Sequence, residues 1–170
     1  EIAIATAHTR KHKILIIEDN KDIRLYMKIL FGTNYTLIMA ENGEEGICMA
    51  KKEIPDIIIS DIMMPGMDGF ECTKILKEDI KTCHIPIILL TALMGDTNMV
   101  KGLELGADDY ILKPFNPDVL ISKVKRLIKN RMDLKQTYMR MMMNNNTTNV
   151  IKDEKEEQKE NSFIQKIFDY

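Results

Sequence analysis

Hydrophobic positions along the chain fall into two alternating patterns. Five short apolar segments, KILII (13–17), YTLIM (35–39), DIIIS (56–60), PIILL (86–90) and DYIL (109–112), are rich in Ile and Leu with little alternation. That is the pattern of strands buried on both faces. Helical stretches separate and follow them at 20–31, 43–53, 68–78, 96–106 and 116–130. In the first, Ile23, Met27 and Leu30 keep a helical period, and in the last Leu120, Val124, Leu127 and Ile128 do the same. Strand and helix alternate five times, which predicts an α/β fold with a parallel sheet covered by helices on both sides.

Past Asn130 the pattern changes. RMDLKQTYMRMMM (131–143) contains no Gly or Pro, so the last helix is expected to continue and then fray at NNNTTN (144–149), a polar linker. IKDEKEEQKE (151–160) reads as charged and solvated. Phe163, Ile164, Ile167 and Phe168 then open a new apolar face that Asn161 or Ser162 is placed to cap. The predicted plan is a linker at 1–12, one domain at 13–130, a helix extension and polar linker at 131–160, and the truncated start of a following domain at 161–170. Both ends read as cut from a longer protein.

Composition narrows the setting. The chain has 170 residues of which 45% are apolar, enough for one domain with a sizeable core. A formal net charge of −2 gives no general argument for a nucleic-acid or membrane surface. No apolar run approaches the roughly 20 residues of a membrane span, and EIAIATAHTRKHK does not read as a signal peptide. Cys48, Cys72 and Cys83 form no CxxC pair. Free thiols in a reducing compartment follow, hence a cytoplasmic location, with any membrane anchor elsewhere in a longer parent.

The candidate chemistry lies at the carboxyl ends of the predicted strands, where open parallel sheets bind their ligands. The first strand runs into Glu18 and Asp19, the third into Asp61, the fourth into Thr91, and the fifth into Lys113 and Pro114. Three converging carboxylates repel one another unless a cation is present, and oxygen ligands of this kind suit Mg²⁺. A metal turns such a pocket into an acceptor for a phosphoryl group. Asp61 is the best nucleophile, because it ends a central strand and meets the loop IMMPGMDG. Lys113 would place an ammonium, and Thr91 a hydroxyl, on the transferred oxygens. Asp108 and Asp109 precede the fifth strand and so belong to the wrong end of the sheet.

With IIEDN at 16–20, DIMMPGMDG at 61–69, LTA at 90–92 and YILKPF at 110–115, the chain resembles the receiver domain of two-component response regulators over about residues 13–130. The resemblance implies a doubly wound, three-layer α/β/α fold with a five-stranded sheet of flavodoxin-like order 2-1-3-4-5. It implies that Asp61 takes a phosphoryl group from a histidine kinase's phosphohistidine. Glu18, Asp19, Asp61 and the Met63 backbone carbonyl would hold Mg²⁺, and Lys113–Pro114 would be a cis bond. Thr91 and Tyr110 would form the switch, altering the surface of the fourth helix, fifth strand and fifth helix. Receiver homodimers on phosphorylation follow, through charged pairs between basic residues such as Lys123 and Arg126 and acidic ones such as Glu104, Asp108 and Asp109. One variation is Glu18, where the commoner residue is Asp.

The end of the chain resembles hybrid sensors in which kinase, receiver and an arabinose-regulator-type DNA-binding domain share one polypeptide. DNA contact would then come only through a domain beyond residue 170, and His8 and His12 would be linker residues. His84 reads as a surface loop residue. Chemistry of the receiver itself would be limited to self-phosphorylation and autodephosphorylation. A stand-alone or phosphorelay receiver without DNA-binding output is the alternative. A haloacid-dehalogenase-like hydrolase would want a DxD arrangement after the first strand, where this chain has EDN. A degenerate receiver acting only in protein interaction would lack Asp61, an acidic-pair residue or Lys113, and all are present.

Overall fold

Strands that are apolar at nearly every position cannot leave either face to water, so helices must cover both. The computed structural model describes residues 11–92 and 96–168, the side chains of 96–99 and 144–168 excepted. Its strands are β1 (Lys13–Ile17), β2 (Thr36–Ala40), β3 (Ile57–Asp61), β4 (Ile87–Thr91) and β5 (Asp109–Leu112). They pair in parallel in the order β2-β1-β3-β4-β5. The helices are α1 (Lys21–Phe31), α2 (Gly43–Glu53), α3 (Gly69–Glu78), α4 (Asp96–Glu104) and α5 (Pro117–Phe168).

Alternation along each strand divides the core in two. Leu15, Ile17, Ile58 and Leu89 pack with Ala50 of α2 and Phe70 and Leu76 of α3. Their neighbours Ile14, Ile16, Ile59 and Leu90 pack on the other side, with Met27 and Phe31 of α1 and Leu120 and Val124 of α5. The expected three layers and strand order are both present. Strands β2, β3 and β4 lie one residue later than their apolar segments suggest. For β3 and β4 the reason is Asp61 and Thr91: each is the last ladder residue of its strand, opposite Leu90 and Leu112 respectively. Their backbones are bonded, so a polar side chain there does not end the strand.

The helix expected to fray at 144–149 instead runs unbroken from Pro117 to Phe168, and Asn161 and Ser162 lie inside it. Asn and Thr cost only about 0.7 kcal/mol each in a helix, and none removes a backbone donor as Pro would. By compactness the chain divides into residues 1–128 and 129–170. In the second unit Met132, Leu134, Tyr138, Met139, Met141, Met142 and Met143 are all exposed. His8 and the rest of 1–10 lie outside the described residues. His12 sits 3.5 Å from Asp56, and His84 is exposed.

Asp108 and Asp109 do lie at the amino end of β5, but both are engaged within the chain. Asp108 accepts from Lys77 Nζ at 2.8 Å and from the Ile87 N–H at 2.9 Å. Lys123 Nζ and Arg126 Nη2 of α5 clamp Asp109 at 2.5 and 2.7 Å. The pairs expected across a dimer are closed internally here, because the start of β5 lies beside the early turns of α5.

Burial opposes ionisation of Asp109, but hydrogen bonds from Lys123 and the Tyr110 N–H, with the charges of Lys123 and Arg126, outweigh it. Its carboxyl is held below the usual carboxylate range. The sign follows: this stabilisation is complete above the unfolded pKa of about 3.9 and is lost as pH falls through the lower folded value. Arg126 is 56% exposed, which limits the effect to about 1 kcal/mol after screening. Asp109→Asn is expected to unfold at lower urea than the parent at pH 6, with the gap shrinking towards pH 3. A gap independent of pH would remove the clamp from the account.

Candidate functional site

Each site residue is placed by a strand end or by the turn that follows it. After β1, Glu18 is buried at 2% exposure while Asp19 is exposed. Asn20 then caps α1, its side chain accepting from the Asp22 and Ile23 N–H groups. Carboxylate oxygens of Glu18, Asp19 and Asp61 lie within 4.8 Å of one another. Asp61 is itself buried at 5% exposure. Its Oδ1 accepts from the Ile62 N–H at 2.9 Å, and its Oδ2 faces Lys113 Nζ at 3.0 Å. Lys113 also reaches Glu18 Oε2 at 2.8 Å.

This ion triad decides the local electrostatics. Burial pushes the Glu18 carboxyl up, the Lys113 hydrogen bond opposes that, and the Asp61 charge adds to the rise. Burial also disfavours the Lys113 ammonium, but its hydrogen bonds to Glu18 and Asp61 outweigh that and raise its pKa. From sequence alone Lys113 has only a phosphoryl oxygen to meet; in the fold it already holds two buried carboxylates. Three oxygen donors, two buried and one open to solvent, fit a hard divalent cation that keeps some of its waters.

Thr91 is fully buried. Tyr110 is half-buried against the core side that includes Leu89, its register partner. Period-two alternation puts Thr91 on that same face of the sheet. The Lys113–Pro114 bond is cis. Met63 is exposed in the loop after β3, lining a crevice of about 570 Å³ with Asp19, Met64, Pro65, Phe70 and Lys101.

Two residues escaped the sequence reading. Arg24 Nη1 donates to the Glu18 and Asp19 carbonyls, both at 2.8 Å, and Nη2 pairs with Glu41. It braces the acidic turn from α1. Its signal was a cation near a helix N-terminus, against the dipole. The other is Gly69, which opens α3 against the backbone of the nucleophile. A Cβ there would lie 2.2 Å from the Asp61 carbonyl oxygen and 2.8 Å from Ile62 Cα. Gly69→Ala is therefore expected to destabilise the fold by about 3 kcal/mol, the upper range for overpacking against backbone. An unchanged thermal midpoint would show that α3 is not pinned at this point.

Comparison with known proteins places this geometry. The response regulator receiver domain family matches residues 14–125. A histidine kinase P4 of Formosa agariphila is 43% identical over 140 residues, 81% of this chain and 10% of that protein. The response regulator PleD of Caulobacter vibrioides is 40% identical over 118 residues, 69% of this chain and 26% of that protein. The chain therefore spans only about a tenth to a quarter of these relatives. Among solved structures, the receiver domain of a signal transduction histidine kinase from Syntrophus aciditrophicus shares 40% identity at a TM-score of 0.66. That match covers 70% of this chain and 91% of the other.

Proposed function

The chain belongs to the response regulator receiver family of two-component signalling, and from that premise we propose that Asp61 accepts a phosphoryl group from a histidine kinase's phosphohistidine. The observation that carries the reading is the Asp61 carboxylate itself. It is buried at the end of a central strand, with Lys113 on one oxygen and Glu18 and Asp19 close by. Glu18, Asp19 and Asp61, joined by the Met63 carbonyl, would hold Mg²⁺, which when bound neutralises phosphoryl oxygens. Lys113 would turn from the carboxylates to one phosphoryl oxygen, and the buried Thr91 hydroxyl would meet another. Tyr110 shares the Thr91 face of the sheet and would follow it as the second switch residue.

A helical kinase partner suits the surface beside the site. Leu25, Tyr26 and Ile29 of α1 are exposed, at 56%, 40% and 74%. Tyr26 also meets the Phe115 ring, at 6.3 Å between centroids, next to Lys113 and Pro114. The 140-residue match to a protein named histidine kinase supports a hybrid parent in which donor and acceptor share one polypeptide. Homodimerisation on phosphorylation has support in the exposed apolar residues of α5 from Met132 to Met143. With Asp108 and Asp109 both engaged within the chain, Glu104 is the one of the three expected acids left to meet basic residues of a second copy. Transcriptional output would lie with a DNA-binding domain beyond residue 170. Among the described residues no helix is long and apolar enough to cross a membrane.

The test is phosphoryl incorporation from acetyl phosphate with Mg²⁺, followed by peptide mapping. Label recovered on the Asp61 peptide is the expected result; label on Asp19 or Glu18 instead would reverse the assignment of nucleophile and metal ligands.

A further inference from the structure

We infer that the crevice beside Asp61 is a leaving-group subsite, in which Lys101 of α4 favours phosphodonors that depart as anions. This rests on the reading of Asp61 as phosphoacceptor and adds a donor preference to it. In-line transfer sends the leaving group to the side of phosphorus opposite the attacking oxygen. On the inner side the strand ends and Lys113 close the site, and that ammonium is engaged by Glu18 and Asp61. Among the described residues the open side is the crevice of about 570 Å³ between Asp19, the Met63–Pro65 loop, Asp68, Phe70 and Lys101, and the leaving group would depart there.

Among the described residues Lys101 supplies the one cation of that lining, set against the carboxylates of Asp19 and Asp68, so an anion there depends on it. Its Nζ sits 4.5 Å above the Phe70 ring centroid. Phe70 is buried, and a Cβ on Gly102 would meet its ring at 3.4 Å and Leu89 at 3.1 Å. The stem of α4 is thus seated while the ammonium is held by an aromatic face. A cation–π contact at an exposed site is worth only about 0.5–1 kcal/mol, so the ammonium can exchange it for an anion. The apolar Met63, Met64 and Pro65 opposite suit a small acyl group.

With an acyl phosphate, an Asp61 oxygen forms a bond to phosphorus as the bond from phosphorus to the acyl oxygen breaks. The electron pair leaves on the carboxylate, and no proton moves. An ammonium near that oxygen stabilises the charge as it develops. With phosphoramidate the phosphorus–nitrogen bond breaks, and the nitrogen, already protonated, departs as neutral ammonia. Lys101 offers nothing to that step.

The experiment measures initial phosphorylation rates by quenched intact mass, with acetyl phosphate and with phosphoramidate, each with Mg²⁺. Lys101→Met is expected to lower the acetyl phosphate rate about fivefold, the scale of one unit-charge contact in a solvated cleft. The phosphoramidate rate should change less than twofold, and Lys101→Arg should restore the acetyl phosphate rate. Equal changes with both donors, including no change, would overturn the subsite. Failure of the unaltered protein to react with either donor would instead overturn the phosphoacceptor reading, and the subsite with it.

Discussion

Asp61→Asn is expected to reduce phosphoryl incorporation at least about 10³-fold, equivalent to more than ~4 kcal/mol of lost barrier lowering. The fold should survive. Asn keeps an oxygen to accept from the Ile62 N–H, and it removes a charge that faces the buried Glu18. The thermal midpoint should therefore stay level or rise while the chemistry disappears. Intact mass after incubation with acetyl phosphate and Mg²⁺ reads one effect, and a melt of the same sample reads the other. Undiminished incorporation would mean that another acid is the nucleophile. Glu18 and Asp19 would be examined next, since their oxygens lie within 4.8 Å of those of Asp61.

The second large effect belongs to Lys113→Ala. Glu18 and Asp61 are 2% and 5% exposed and share this one ammonium, at 2.8 and 3.0 Å. Removing it leaves two buried carboxylates facing each other, a loss of about 3 kcal/mol when one partner of a buried pair is deleted. The defect should thus appear before any phosphorylation, as a lower urea midpoint, and again afterwards as a weaker phosphorylated state. Adding Glu18→Gln to Lys113→Ala should recover part of the stability, because it removes one of the orphaned charges. Equal stability of Lys113→Ala and the parent, with unchanged phosphorylation, would deny the residue both roles.

Neither prediction could be given its size from sequence alone. The residues were legible: Glu18, Asp19, Asp61, Thr91 and Lys113 each follow or end an apolar strand pattern, and polar residues at strand ends stand out against Ile and Leu. Their mutual distances were not. Lys113 and Glu18 are 95 positions apart, and only the β2-β1-β3-β4-β5 order brings their side chains together. Charged pairs on the β5–α5 side were legible too, but as contacts between two chains. Whether Lys123 and Arg126 reach Asp109 of their own chain depends on how α5 lies against β5.

What the sequence determined by itself is what short-range chemistry determines. Strand and helix follow from residue periods within a window of about ten residues, and the N-caps Asn20, Asn42 and Asp68 from side chains reaching two or three residues ahead. Tertiary structure decided the rest. It selected which cation neutralises the buried acids, it pressed Gly69 onto the Asp61 backbone, and it set Arg24 under the acidic turn. These are contacts between segments that local pattern leaves independent. Their geometry is fixed only when sheet register and helix packing bring the segments together, and burial then removes the water that would otherwise satisfy each charge.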